Sequence, residues 1–157
     1  MTDMRRYFMI FAVAVAAMAL FSCEKYEDGR PVKDVRTEFK KMYPGARDVE
    51  WEGAGGNWIV SFETGTPPAD VDHEAWYDVA GNWLRTETEI LFSAIPQSVM
   101  DALAGSEYAS ASIDRDDIVF VETPEGDWYR LELNSGGLEI YVDVTEDGKV
   151  SLSTRGL

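Results

Sequence analysis

The chain has 157 residues and a formal charge of -15, from 29 Asp and Glu against 14 Lys and Arg. That acidity excludes nucleic acid as a partner and direct docking on anionic lipid, because both would repel it. Hydrophobic residues at 45% and five Trp exclude a disordered chain and leave enough length for one domain with a core. Residues 1–22 read as a secretory signal. Arg5 and Arg6 supply its positive start, and residues 7–21 are uncharged. That run falls short of the ~18–20 apolar residues that span a bilayer. Removing residues 1–22 leaves 12 basic and 28 acidic side chains, net −16. Residues 24–48 hold seven basic and six acidic residues, so the acidity is concentrated beyond residue 48.

Leu20-Phe21-Ser22-Cys23 resembles a bacterial lipobox, in which a small residue precedes a Cys that is acylated and becomes the mature N-terminus. Cys23 is the one Cys of the chain, so no internal disulfide is available to it. The resemblance implies a membrane partner reached through lipid on Cys23 rather than through a spanning helix. Residues 23–30 then read as a polar tether. Its acidic character resembles signals that move some Gram-negative lipoproteins to the cell surface. The expected location is the cell envelope of a Gram-negative bacterium, at the outer membrane, on its periplasmic or outer face.

Beyond the tether, Val32, Val35, Phe39 and Met42 make one stripe of a short helix, with Pro31 before it and Pro44-Gly45 after it. Period-two alternation predicts strands at 48–52, 58–62, 75–79 and 83–87, with a Pro-containing loop over 64–72. A second helix comes next on Ile95, Val99 and Leu103, opened by Pro96 and closed by Gly105. Strands are expected again at 112–122, 128–133, 138–144 and 150–154, joined by turns such as Glu146-Asp147-Gly148. The expected fold class is α+β. It comprises two tandem repeats of a helix plus a four-stranded antiparallel sheet, residues 31–90 and 94–157, with the helices on one sheet face.

Tyr43-Pro44-Gly45-Ala46, Val49-Glu50-Trp51-Glu52, Trp58-Ile59-Val60-Ser61-Phe62 and Trp76-Tyr77-Asp78-Val79-Ala80-Gly81-Asn82-Trp83 together carry a resemblance. They resemble the PepSY-like lipoproteins, whose fold is similar to β-lactamase inhibitor protein. Ile95-Pro96-Gln97-Ser98-Val99 is similar to that family's second helix opening. The resemblance covers about residues 32–157, and it makes 31–157 a PepSY-like domain. Related PepSY domains occur in propeptides of secreted metalloproteases. The resemblance therefore implies binding or inhibition of a protein partner, such as a protease.

Residue types offer little chemistry beside that. His73 is the one His, no G-x-S-x-G pattern occurs, and Cys23 is assigned to lipid. His73, between Asp72 and Glu74, is expected on an exposed loop. Asp114-Arg115-Asp116-Asp117 and Glu146-Asp147-Gly148 offer oxygen ligands of the kind calcium takes, but neither matches an EF-hand loop. No enzyme activity, cofactor or metal site is therefore expected. A carboxylate-dependent envelope hydrolase, or a small-ligand or calcium-binding lipoprotein, stays open as the alternative.

Alternation also assigns the sheet faces. If Trp58, Val60, Phe62, Ala75, Tyr77, Val79, Tyr129, Leu131, Leu133, Leu138, Ile140, Val142 and Val144 face the helices, their neighbours point to water. The candidate partner-binding residues on that open face are Trp76, Asp78, Trp128, Arg130, Glu132, Glu139, Tyr141 and Asp143. Trp and Tyr anchor protein interfaces because they bury much area at small entropic cost.

Overall fold

The computed structural model describes residues 24–26 and 29–153. The signal, Cys23 and Thr154 at the expected end of the last strand lie outside the described residues. Among the described residues, nine strands form a sheet whose spatial order is the chain order. They are β1 (Lys25–Tyr26), β2 (Arg47–Ala54), β3 (Asn57–Thr66), β4 (Ala69–Asp78), β5 (Trp83–Glu89), β6 (Ser112–Thr123), β7 (Gly126–Ser135), β8 (Leu138–Val144) and β9 (Val150–Leu152). Helix α1 (Lys33–Met42) precedes β2, and α2 (Gln97–Ala104) precedes β6 after a 3-10 turn at Phe92–Ala94. β1 runs parallel to β2, while every later pair is antiparallel. The class is α+β, with helices on one layer and strands on the other. Among the described residues, no helix is long and apolar enough to cross a membrane.

Each helix buries its apolar face on strands that come after it in the chain. Val35 and Phe39 of α1 join Val49, Trp51, Val60, Phe62, Ala75 and Tyr77 in one cluster. Val99 and Leu103 of α2 join Ile118, Tyr129, Leu131, Leu133, Val142 and Val144 in another. Both clusters lie on the same side. The cross-strand row Phe62, His73, Thr88, Phe120, Tyr129 and Val144 runs unbroken from one to the other, and directly paired residues share a face. Among the described residues, the opposite face carries no helix.

The geometry corrects several expectations. The loop expected over 64–72 is a hairpin tip. β3 and β4 stay paired from Asn57↔Asp78 to Thr66↔Ala69, and Pro67 and Pro68 occupy the turn, where no ladder donor is needed. Val32 and Met42, expected in the helix stripe, are exposed: Val32 caps the helix just before its first residue and Met42 is its last. Val79 and Leu138, expected under the helices, are 63% and 70% exposed. Val79 lies in the turn after β4, and Leu138 opens β8 at a hairpin end. β6 is irregular between Ile113 and Ile118, where four successive charged residues cannot keep an apolar alternation. Two residues of the tether, Lys25 and Tyr26, belong to the sheet.

His73 is a further correction. It sits within β4, on the core side, half-buried and stacked on Phe62 with ring centroids 4.9 Å apart. Its Nε2 lies 2.8 Å from the Thr64 hydroxyl and its Nδ1 lies 2.9 Å from that of Thr88. One hydroxyl donates to the ring and the other accepts from it, so the neutral imidazole is satisfied on both nitrogens. Burial holds its pKa below the usual 6.5, against the opposing charge of Asp72.

Candidate binding face

On the helix-free side, the register lays residues from different strands into rows. One row reads Glu50, Ser61, Glu74, Glu87, Val121 and Trp128. The next contains Glu89, Val119, Arg130 and Asp143. Where the first-half strands meet the second half, this face hollows into an open cleft of about 540 Å³. Its walls carry Asp48, Glu50, Glu63, Asp72, Glu74 and Glu89, with Glu87 toward the second half. Among the described lining residues, Lys25 is the one lysine or arginine. Carboxylates gathered on a concave low-dielectric wall focus a negative potential outward, which raises the encounter rate of cations.

Glu87 is the hub of the charge network beneath this cleft. It is 6% exposed and lies 3.2 Å from Arg85 Nε and 3.5 Å from Arg130 Nη1. Arg130 in turn donates from Nε and Nη2 to the two carboxylate oxygens of Asp143, at 2.9 and 3.2 Å. That fork-on-fork geometry joins β7 to β8, while Glu87 brings in β5 from the first half.

The eight candidate residues therefore divide. Arg130 and Asp143 meet, as expected of neighbours on one face, but Arg130 is only 9% exposed and engaged with carboxylates of its own chain. Trp76 does not stand in solvent. It is 7% exposed, because the Arg85 guanidinium from β5 lies over its ring, 4.0 Å from the centroid. Trp128 is half-buried, and its indole N–H has no hydrogen-bond partner among the described residues. Asp78 works as a turn cap, accepting from the Ala80 and Asn82 amides at 2.9 Å each and from the Asn82 side chain at 2.7 Å. The Asn82 side-chain bond, aided by backbone donors, holds its carboxyl below the usual range.

Tyr141 and Glu132 form a separate group. The Tyr141 hydroxyl donates to Glu132 at 2.7 Å, and that bond above all pushes the phenol up to about 12. Asp117 faces the same Glu132, and its carboxyl is raised by partial burial, then by the bond and charge of Glu132. Glu139 is exposed and shares a shallow hollow of about 250 Å³ with Glu132, Asp114 and Asn134. Among the described residues, no three His, Cys, Asp or Glu side chains are grouped to hold a metal ion.

The cleft carboxylates are the site residues that alternation alone does not single out. It places Glu63 and Glu74 on the open face, but only the register brings Glu50, Glu74 and Glu87 into one row. Lys25 has no strand signal at all.

Known proteins share this architecture. A family model described as "Putative beta-lactamase-inhibitor-like, PepSY-like" matches residues 56–150. Among solved structures, a BLIP-like protein from Bacteroides fragilis superposes with a TM-score of 0.69 at 25% identity, covering 82% of this chain and 91% of that one. A DUF2874 family protein from Bacteroides ovatus gives 0.67 at 23% identity, with 79% and 89% covered. A structure from Bacteroides eggerthii described as "putative periplasmic proteins" gives 0.66 at 20% identity, with 80% and 89% covered. No curated protein matches the chain.

Proposed function

The chain belongs to the PepSY-like, β-lactamase-inhibitor-like family, and from that premise we propose that it is a lipid-anchored, non-catalytic binding module of the Gram-negative cell envelope. Its working surface in this reading is the acidic, helix-free sheet face. Its partner is a protein with a basic surface, and a protease is the partner class that the PepSY relationship brings forward. The observation that carries the reading is the open cleft of about 540 Å³, whose carboxylates outnumber its cations on a face that no helix covers. The anchoring half of the reading is carried by Cys23 and the segment before it. We also read the two helix-plus-strands halves as one unit used twice.

The aromatics expected to stand exposed on this face recede in the proposal. Trp76 is covered by Arg85, so the aromatic contribution falls to Tyr141 and Trp128 at the second-half end. Charge complementarity sets on-rate and specificity more than affinity, so association should slow as salt rises.

Cross-linking of the native lipoprotein in intact cells, with identification of what it holds, tests the proposal. Glu50→Lys together with Glu74→Lys should abolish capture, with the circular dichroism spectrum unchanged. Capture undiminished by this pair rejects the acidic face as the working surface. Cys23→Ala should abolish acyl labelling, and a variant still processed and membrane-bound rejects the anchor.

A further inference from the structure

β1 is two residues long, and both of its side chains meet a different part of the first half. Lys25 pairs with Glu50 and Tyr26 with Trp51, in parallel along β2. The Lys25 ammonium rests on the Glu50 carboxylate at the wall of the acidic cleft. Tyr26 packs half-buried against the first core cluster. Arg30 lies over its ring, 5.4 Å from the centroid. β2 runs for eight residues, and among the described residues its outer edge is covered only at Glu50 and Trp51. An extended Lys-aromatic dipeptide therefore already occupies the cleft edge, supplied by the chain itself.

We infer that β1 is a displaceable internal ligand, and that an extended segment of a protein partner, bearing Lys or Arg and then an aromatic residue, adds to the β2 edge in its place. This rests on the acidic face being the binding surface, and it names what that surface accepts and what occupies it meanwhile. Strand addition to a sheet edge draws affinity from main-chain hydrogen bonds and specificity from alternate side chains. Both selectivity elements are present: Glu50 for the cation and the rim of the first core for the ring. β1 is held by a two-residue ladder, by the half-buried Tyr26 ring, by the neighbouring Glu24 on Lys40 at 2.6 Å and by the Lys25–Glu50 pair. The Lys25 and Glu50 side chains are 70% and 43% exposed, a setting in which ion pairs are weak. A partner segment longer than two residues would also pair with the uncovered remainder of β2. While β1 is docked, apparent affinity falls by the fraction of molecules whose edge is free.

The test uses the mature chain in detergent micelles and a labelled peptide, acetyl-Ser-Thr-Lys-Tyr-Thr-Ser-amide, read by fluorescence anisotropy. Lys25→Glu repels Glu50 and releases β1, so the peptide should bind about tenfold tighter than to the unaltered chain. Lys149→Glu makes the same charge change in a distant turn and should leave affinity unaltered. A peptide with Glu in place of its Lys should not bind either form. Equal affinity of the unaltered chain and Lys25→Glu overturns the inference, and so does an equal gain in Lys149→Glu. Pentalysine separates the two readings. If it binds in a salt-sensitive way while Lys25→Glu gains nothing, displacement fails and the acidic face stands. If pentalysine also fails to bind, the acidic face fails with it.

Discussion

In the first half, α1 delivers Phe39 into a cage of rings. Trp51, Phe62 and Tyr77 meet it edge-on, with centroids 5.3, 5.0 and 6.5 Å away, and Tyr43 lies 5.7 Å off at a tilt. In the second half, α2 delivers Val99 and Leu103 onto Ile118, Leu131, Leu133, Val142 and Val144, branched aliphatics joined by one buried ring, Tyr129. The outer faces differ as well. On the second-half face, Arg130 pairs with Asp143 and the Tyr141 hydroxyl donates to Glu132. The first-half face is a cleft of carboxylates with a single lysine from β1. A ring-rich core makes directional contacts, whereas a mainly aliphatic core depends more on volume.

Substitutions can break that contrast, and the largest effect is expected at Phe39. Phe39→Ala should lower unfolding free energy by about 4 kcal/mol in urea titration, against about 3 kcal/mol for Leu131→Ala. The sharper comparison removes the ring with less loss of volume. If Phe39→Leu costs no more than Leu131→Met, which should stay under about 1.5 kcal/mol, ring geometry adds nothing and the contrast reduces to size.

Next in size is the charge network that links the halves. Arg130→Ala strands Asp143 and leaves Glu87 to Arg85, and the loss should be about 3 kcal/mol, because a largely buried carboxylate loses its partner. A double-mutant cycle of Arg130→Met with Glu87→Gln should return a smaller cost than the two changes summed. Strict additivity would mean that the network does not couple the halves.

A smaller effect is expected at Gly81, the turn that meets α1. Its φ is +96°, and an added Cβ would lie 3.3 Å from the Val35 amide nitrogen. Gly81→Ala should cost about 1–3 kcal/mol. Gly55→Ala, at φ +59° with open space around it, should cost less, about 1–2 kcal/mol. Reversal of that order would show that α1 yields to the turn.

The smallest effect belongs to His73. Burial disfavours its charged form, so the unfolded chain takes up a proton first as pH falls below the ordinary value of 6.5. The folded state is therefore favoured above that value and loses stability as pH drops through the lowered one. The urea midpoint should decline between about pH 7 and about pH 5 more steeply for the unaltered chain than for His73→Gln. Parallel slopes would show that the ring is protonated as readily folded as unfolded.

How much of the molecule is legible in the chain depends on what each signal measures. Alternation reports which side of a strand a residue takes. It therefore finds the strands and their shared buried side, as Val60, Ala75, Leu131 and Val142 attest, while the helical period of Val35, Phe39, Val99 and Leu103 finds the helices. It does not report what lies above that side. Trp76 takes the expected face yet is buried, because its cover comes from Arg85, its direct cross-strand partner on β5. Proline misleads at 64–72, since a proline at a hairpin tip and one in an open loop leave the same trace in a single chain. The misreading of His73 has the same root: with 64–72 read as loop, its place in the row beside Phe62 and Thr88 is hidden. The acidic cleft needs the register of four strands at once, and β1 needs a contact between residues 25 positions apart.

The strictly sequential strand order has a kinetic side. Hairpins such as β3–β4 and β7–β8 can zip from their turns without waiting for distant segments, which favours fast folding for a sheet of this size. The seam between β5 and β6 differs. Its ladder has four positions, Thr86 to Glu89 against Val119 to Glu122, after a long connection that contains α2. Each half can consolidate before the seam closes. Native-state amide exchange should then resolve two cooperative units that open separately, with the boundary at that seam.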